Sequence, residues 1–196
     1  MVNSVIYFFY AENREEEYFK RLRQQALTKA NLLFEAKVPF EIGLARNRYI
    51  QRTFIQPDQK LREQGVRMKL TVIPEVIKDK RVVVIDDSIV RGTTSKPIVE
   101  MLFSAGAKEV HFLVCSPPIC FPDFYGIDTP SQQDLIAFGK TEEEVRAYLG
   151  ATSLHYLSLD GMLNATELPK ENFNTSCFTG VYPIDLKERA SEIEIP

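Results

Sequence analysis

Two adjacent carboxylates, Asp86 and Asp87, directly follow an apolar run in the stretch "RVVVIDDSIVRGTTSKP". Like charges side by side repel each other, so the pair needs a cation or hydroxyl donors beside it. In an open parallel sheet, side chains at the carboxyl end of a strand project into the crevice where ligands bind. The pair is therefore the first candidate for chemistry in this chain.

The loop after the pair predicts a binding site for a phosphate group. Ser88, Thr93, Thr94 and Ser95 supply hydroxyls, Gly92 permits a tight turn, and the following helix presents unpaired amides and a positive dipole end. A ligand with a phosphate at one end and vicinal hydroxyls at the other, such as ribose 5-phosphate, fits this arrangement. Mg²⁺ would relieve the repulsion between the acids, and displacement at the anomeric carbon would use them to stabilise developing positive charge.

A basic segment, from Arg46 to Lys69, carries seven basic and two acidic residues, a formal charge of +5, whereas the rest of the chain carries −8. A solvated surface loop is one explanation for this charge. The second is a mobile hood that closes over a polyanion such as pyrophosphate and excludes water. The basic residues are Arg46, Arg48, Arg52, Lys60, Arg62, Arg67 and Lys69.

Three alternatives compete with a sugar-phosphate site at the acid pair. A P-loop is excluded because no GxxxxGK[ST] pattern occurs. An acidic pocket of the response-regulator kind would leave the loop hydroxyls and the glycine unexplained. A solvent-exposed acid pair without function stays open.

The elements that must position the carboxylates alternate between strand and helix. Continuous Val, Ile and Leu runs favour an α/β fold with a doubly wound, mainly parallel sheet and helices on both faces. The predicted strands cover residues 1–10, 39–45, 82–85, 109–116 and 151–159, and the predicted helices cover residues 12–37, 96–105, 130–137 and 141–150. The second of these helices has Ser95 as its predicted N-cap.

Size and composition are those of one ordinary soluble domain: 196 residues, 44% apolar, 26% charged and a net charge of −3. This charge gives no general attraction to nucleic acid or to an anionic membrane. No apolar run reaches the roughly 20 residues that span a bilayer, and the first residues lack signal-peptide features, so a cytoplasmic location is expected. Three cysteines without a CxxC pattern predict reduced thiols, and His111 and His155 are expected to pack rather than to bind metal or catalyse.

Four stretches carry a resemblance to a known family. "FEIGLARNRYIQRTFIQPDQKLREQGVRMKL", "VVVIDDSIVRGTTS", "SPPICFPDFYGID" and "CFTGVYP" resemble, in this order, the carboxyl-terminal half of the amidophosphoribosyltransferases. The acid pair with its loop resembles the phosphoribosyl diphosphate (PRPP) motif of type I phosphoribosyltransferases. The similarity runs from about Pro39 to Pro183.

This resemblance implies a type I phosphoribosyltransferase fold at residues 39–183, with an atypical strand and helix at 1–38 and an acidic tail at 184–196. It implies that ammonia replaces the pyrophosphate of PRPP to give 5-phosphoribosylamine in de novo purine biosynthesis. Asp86 and Asp87 would be catalytic and would hold Mg²⁺. The implied substrate-binding residues are Ser88, Ile89, Val90, Arg91, Gly92, Thr93 and Thr94 in the loop, and Arg48, Arg52, Lys60, Arg67 and Lys69 in the basic segment.

The chain also departs from the family. We expect no glutaminase domain in it, so ammonia would be free or would come from a separate glutaminase chain. Where the family has a pyrophosphate-binding loop, this chain reads "FKRLRQQALTK", which predicts a helix. Asp123 and Asn174 stand in place of two cysteines that hold an iron–sulfur cluster in some relatives, leaving Cys177, so no cluster is expected.

Two functions of different class remain open at this point. One is a phosphoribosyltransferase that uses ammonia. The second is a catalytically impaired relative, or a fragment, that binds PRPP or nucleotides without turnover. The sequence leaves homo-oligomerisation and nucleotide feedback undecided.

Overall fold

A four-stranded parallel sheet forms the centre of the protein. The computed structural model describes residues 4–7, 41–46, 70–125, 131–186 and 193. The sheet has the order β1-β4-β5-β6, and each neighbouring pair runs parallel. Its strands are β1 (Ser4–Tyr7), β4 (Arg81–Asp86), β5 (Glu109–Val114) and β6 (Ser153–Tyr156). All four were predicted as strands from the sequence.

The inner strand β4 is buried on both faces of the sheet. Val82 and Val84 belong to the main core together with Phe112. Val83 and Ile85 point to the opposite face and are only 8% and 7% exposed. This burial explains the continuous apolar run, because a strand covered on both sides has no polar face. The α/β class with a parallel sheet is therefore confirmed.

Two helices cover the main core. Helix α2 (Ser95–Ser104) packs against β5, and helix α3 (Glu142–Leu149) packs against β6 and against α2. Helix α2 begins one residue before its predicted start and ends one residue before its predicted end. The prediction of Ser95 as N-cap is wrong: Thr94 is the N-cap, and no side chain caps the helix.

Helix α3 is stabilised by a complete capping box. The hydroxyl of Thr141 accepts from the amide of Glu144, and the carboxylate of Glu144 accepts from the amide of Thr141. Gly150 ends the helix in the left-handed region at φ 72°. These local signals are why the prediction for residues 141–150 is confirmed.

The helix predicted for residues 130–137 is wrong. Only a short 3₁₀ turn forms there, at Gln132–Asp134. The amide of Ile136 donates to the carbonyl of Val90 (2.8 Å), and the side chain of Gln132 donates to the carbonyl of Cys120 (3.1 Å). Hydrogen bonds to distant segments have thus replaced the local helical ladder.

A two-stranded antiparallel ribbon forms a second sheet, and its Leu44 and Leu70 belong to the main core. It consists of β2 (Leu44–Arg46) and β3 (Leu70–Val72), and Arg46 is paired with Leu70. The predicted strand at 39–45 is confirmed only at its end. The remaining short elements are α1 (Pro74–Ile77), α4 (Leu159–Asn164), a 3₁₀ turn at Lys170–Asn172 and α5 (Ser176–Thr179).

Several predictions fall outside the described residues: the helix at 12–37 with its "FKRLRQQALTK" stretch, most of the basic segment, and most of the acidic tail. Within the described ranges, no helix combines the length and the apolar character needed to cross a membrane.

Candidate functional site

The acid pair lies at the carboxyl end of β4, where the sequence predicted it. Asp86 is 7% exposed, and its carbonyl accepts from the amide of Cys115 (2.9 Å). Its carboxylate accepts from the amide of Asp87 (3.0 Å), and the carboxylate of the exposed Asp87 accepts from the amide of Ser88 (2.7 Å). These bonds fix the turn and hold two negative charges at the edge of the sheet.

The loop that follows, residues 88–94, is held from below by the core. Ile89 is 2% exposed and belongs to the main core. The carbonyl of Val90 accepts from the amide of Ile136. Gly92 has φ 74°, and a Cβ at this position would lie 2.6 Å from Cδ1 of Ile136 and 3.2 Å from Cε1 of Tyr148. Glycine is required there by both the backbone conformation and the lack of space.

The backbone amides of this loop are its most informative feature. Within the described part of the chain, no oxygen accepts a hydrogen bond from the amides of residues 89 to 95. Helix α2 begins at the end of this run, which places its positive dipole end next to the loop, and no side chain caps it. Ser88, Thr93 and Thr94 are half-buried beside these amides. The loop thus has the donors that an anion requires.

Positive charge is also present at the loop. Arg91 is half-buried, and none of the described carboxylates lies within ion-pair distance of it. Lys96, in the first turn of α2, places its ammonium 4.6 Å from the ring centroid of Tyr148. An anion bound at the loop would therefore meet amides, hydroxyls and at least two nearby cations.

The fit of a metal ion depends on the two carboxylates. Among the described residues, no group of three or more His, Cys, Asp or Glu side chains could hold a metal. Mg²⁺ is commonly bound by one or two carboxylates together with substrate oxygens and waters. Asp86 and Asp87 fit this second kind of site, in which a substrate completes the coordination.

Of the basic segment, the structure describes only Arg46. Arg48, Arg52, Lys60, Arg67 and Lys69 lie outside the described residues, so their predicted roles stay predictions. The pairing of Arg46 with Leu70 brings the two ends of residues 47–69 side by side.

The three cysteines have free thiols. Cys115 packs against the second face of the sheet, and Cys120 lies 3.6 Å from the carbonyl of Ala137. Burial raises the pKa of the Cys120 thiol, and burial followed by the charge of Asp123 raises the pKa of Cys177. Raised values make these thiols poor nucleophiles at neutral pH.

The two positions that replace cluster cysteines have local partners. Asp123 accepts from the amide of Tyr125 (2.7 Å), and Asn174 accepts from the amide of Ser176 (3.0 Å). Both side chains therefore shape turns. The absence of an iron–sulfur cluster stays a prediction.

The histidines differ from each other. His111 is half-buried, with Nε2 donating to Glu109 (2.8 Å) and Nδ1 lying 2.8 Å from the hydroxyl of Ser153. His155 is 66% exposed and lies 3.1 Å from a carboxylate oxygen of Glu142. His155 is thus a surface residue rather than the packed one that its apolar sequence context suggested.

Sequence reasoning missed the residues beneath the loop. Ile136 and Tyr148 follow Gly92 by more than forty residues, and no spacing rule connects them to it. Lys96 was visible as a cation in the first turn of a predicted helix, an unfavourable place for a positive charge. This unfavourable placement of a positive charge could have identified Lys96 as a candidate anion-binding residue.

Proteins of known function were compared with this chain. Amidophosphoribosyltransferase of Bacillus subtilis (strain 168) is 52% identical over 153 residues, which are 76% of this chain and 32% of that protein. The enzyme of the same name from Synechococcus elongatus is 51% identical over 151 residues, 77% of this chain and 31% of that protein. The Staphylococcus epidermidis enzyme is 42% identical over 186 residues, 85% of this chain and 38% of that protein. No family model matches the chain.

Solved structures agree with these relatives. Glutamine PRPP amidotransferase from B. subtilis, complexed with ADP and GMP, superposes with a TM-score of 0.74 at 42% identity, over 96% of this chain and 39% of that one. A structure described as the allosteric regulatory enzyme of purine biosynthesis gives a TM-score of 0.75 at 41% identity, over 96% of this chain and 38% of that one. The chain spans about a third of the length of the curated relatives it matches. By sequence and by fold, the chain is a homologue of part of the amidophosphoribosyltransferases, and the matched part makes up about one third of their length.

Proposed function

We propose that this chain is the phosphoribosyltransferase part of an amidophosphoribosyltransferase, and that it converts PRPP and ammonia to 5-phosphoribosylamine and pyrophosphate in purine biosynthesis. The observation that carries the proposal is the run of amides at residues 89–95, beside the acid pair, that have no acceptor among the described residues. The similarity to amidophosphoribosyltransferases supports it. The cytoplasmic location predicted from the sequence is part of the same proposal.

The loop would bind one end of PRPP and the acid pair the other. The 5-phosphate accepts hydrogen bonds from the loop amides and from Ser88, Thr93 and Thr94, while Arg91 balances its charge. The ribose hydroxyls donate to the carboxylates of Asp86 and Asp87. Because Ile89 and Gly92 fix the loop on the core, these donors need little reorganisation when the ligand arrives.

The chemical step is a substitution at the anomeric carbon. The bond from that carbon to the pyrophosphate oxygen breaks, and its electron pair leaves with pyrophosphate. The nitrogen of ammonia forms the new bond and then loses a proton to give the amine. Positive charge that develops on the ribose is stabilised by the two carboxylates beneath it.

The leaving group needs its own neutralisation. Mg²⁺, held by Asp86 and Asp87 together with substrate oxygens, would supply positive charge for pyrophosphate departure. The basic residues Arg48, Arg52, Lys60, Arg67 and Lys69 would add to this charge and exclude water. Ammonia would be free or would come from a glutaminase chain or domain.

The test is release of pyrophosphate from PRPP, Mg²⁺ and an ammonium salt. Asp87→Asn should lower the rate by at least about 10²-fold, since it removes a charge that acts on the transition state. The matched control is Asp160→Asn, because Asp160 is an exposed carboxylate on α4 that pairs with Lys170. Control and parent should have the same rate.

Two results would contradict the proposal. Binding of ribose 5-phosphate without any pyrophosphate release, even at high ammonium concentration, would identify the chain as a binding protein that does not turn over PRPP. Equal rates for Asp87→Asn and Asp160→Asn would remove Asp87 from the chemistry.

A further inference from the structure

Lys96 and Tyr148 form a contact next to the phosphate loop. Lys96 is the second residue of α2, and its ammonium lies 4.6 Å from the ring centroid of Tyr148 on α3. Such a cation–π contact favours one position of a side chain that would otherwise sample many. The ring therefore fixes where this positive charge lies.

That position is close to the loop. Cε1 of Tyr148 is 3.2 Å from the place that a Cβ on Gly92 would occupy. The same ring thus has the ammonium over its face and the loop glycine near its edge. The ammonium lies within about 10 Å of the loop, which is about one screening length at 0.1 M salt.

This location is unfavourable unless an anion is present. A cation in the first turn of a helix is repelled by the positive end of the helix dipole. Glu100 lies one turn further along α2, at the spacing of an ordinary helical ion pair. Even so, the ammonium lies over the ring of Tyr148, and no described carboxylate is within ion-pair distance of it. A bound phosphate at residues 88–95 would balance this charge.

We propose that Lys96 is a further phosphate-binding residue of this site and that Tyr148 is its positioning residue. The inference rests on the proposed function, because it takes the loop as the site of a sugar phosphate. Lys96 attracts the 5-phosphate group by its charge, and the Tyr148 ring keeps that charge beside Gly92. The ligand class is a phosphate monoester such as ribose 5-phosphate.

The first test measures ribose 5-phosphate affinity by calorimetry at several KCl concentrations. Lys96→Gln should weaken binding about three- to tenfold at low salt and should make the affinity less dependent on salt, because one interacting charge is lost. Lys96→Arg should keep both the affinity and the salt dependence. The matched control, Lys108→Gln, removes the same charge from an exposed residue beyond the far end of α2 and should behave as the parent.

The second test separates positioning from general stability. Tyr148→Phe keeps the aromatic face and should bind as the parent does, whereas Tyr148→Leu should weaken binding as Lys96→Gln does. The double variant Lys96→Gln/Tyr148→Leu should be no weaker than Lys96→Gln alone, because the ring acts through the ammonium. Thermal midpoints close to that of the parent would show that all variants fold.

The failures of the two proposals are distinguishable. Equal affinity and equal salt dependence for the parent and Lys96→Gln would overturn this inference alone. Failure of the parent to bind ribose 5-phosphate at any salt concentration would overturn the proposed function and this inference with it. An additional loss in the double variant beyond Lys96→Gln would overturn the positioning role of Tyr148.

Discussion

The two ends of the central sheet carry the same kinds of polar side chain, and they differ in the partners of those side chains. At the amino end, Arg81, Glu109, His111 and Ser153 bond to one another across three neighbouring strands. At the carboxyl end, the acid pair is followed by seven amides that no described oxygen accepts from. We call the amino end, where these side chains are paired with one another, the closed end. The carboxyl end, where the loop amides have no described acceptor, is the open end.

This difference separates polar residues that hold the fold from those that can bind a ligand. A carboxylate that already accepts from an arginine and a histidine has little left to offer to a ligand. A row of amides without an acceptor among the described residues, anchored on the core by the buried Ile89, offers hydrogen bonds at little cost in reorganisation. Residue type alone would rank the two ends equally, so the pairing state is the informative observation.

The largest effect is expected from Gly92→Ala, which disturbs the open end from below. The left-handed φ of 74° would cost about 1–2 kcal/mol for alanine. The contact of 2.6 Å with Ile136 would add about 1–3 kcal/mol of overpacking. Binding of ribose 5-phosphate should weaken more than tenfold, because the loop amides move with the glycine.

A matched glycine separates these costs. Gly150 has φ 72°, and nothing lies within 4 Å of a Cβ added to it. Gly150→Ala should therefore show only the backbone cost, with unchanged ribose 5-phosphate affinity, in chemical denaturation and calorimetry. Equal stability losses for the two variants would mean that a Cβ at position 92 does not clash with Ile136.

The open end could be predicted from the sequence because its residues are consecutive. Asp86, Asp87 and the residues up to Thr94 are neighbours in the chain, so a strand that stops and a helix that starts bring them together by local geometry alone. Helix α3 was predictable for the same reason, since Thr141 and Glu144 are three residues apart. Local patterns fix local structure.

Distant residues decide the regions that could not be predicted. The segment 130–137 has helical spacing, yet the amide of Ile136 bonds to Val90 and the side chain of Gln132 bonds to Cys120. Ile136 and Tyr148 become the floor of the loop only when α3 packs on α2. The N-cap of α2 moved by one residue, and the absence of a side-chain cap leaves the loop amides without an internal acceptor among the described residues.

A smaller effect is expected where a polar group is unpaired and also buried. The hydroxyl of Tyr156 at the end of β6 is buried without a partner among the described residues, and burial raises its pKa. This hydroxyl is fully buried, so its desolvation is not offset by a hydrogen bond. Tyr156→Phe should raise the free energy of unfolding by about 1 kcal/mol.

Tyr182 provides the matched substitution with the opposite sign. Its hydroxyl donates to the carbonyl of Pro122 (2.8 Å), and Tyr182→Phe should lower the free energy of unfolding by about 1 kcal/mol. Urea denaturation of both variants measures the two changes. A loss of stability in Tyr156→Phe would show that this hydroxyl has an acceptor after all.

The smallest effect is expected at the closed end, from Glu109→Gln. The hydrogen bond from Arg81, followed by that from His111, lowers the pKa of Glu109 below its usual 4.5. A carboxylate with a lowered pKa stabilises the fold above pH 4.5, and this contribution disappears as the pH falls through the lowered value. The parent should therefore have the higher thermal midpoint above pH 4.5, and the difference from Glu109→Gln should shrink as the pH falls below 4.5.

Ribose 5-phosphate affinity of Glu109→Gln at neutral pH should stay within about twofold of the parent, because Glu109 lies at the opposite end of the sheet from the loop. A difference in midpoint that does not change with pH would mean that the shape of the side chain, and not its charge, holds the amino end together.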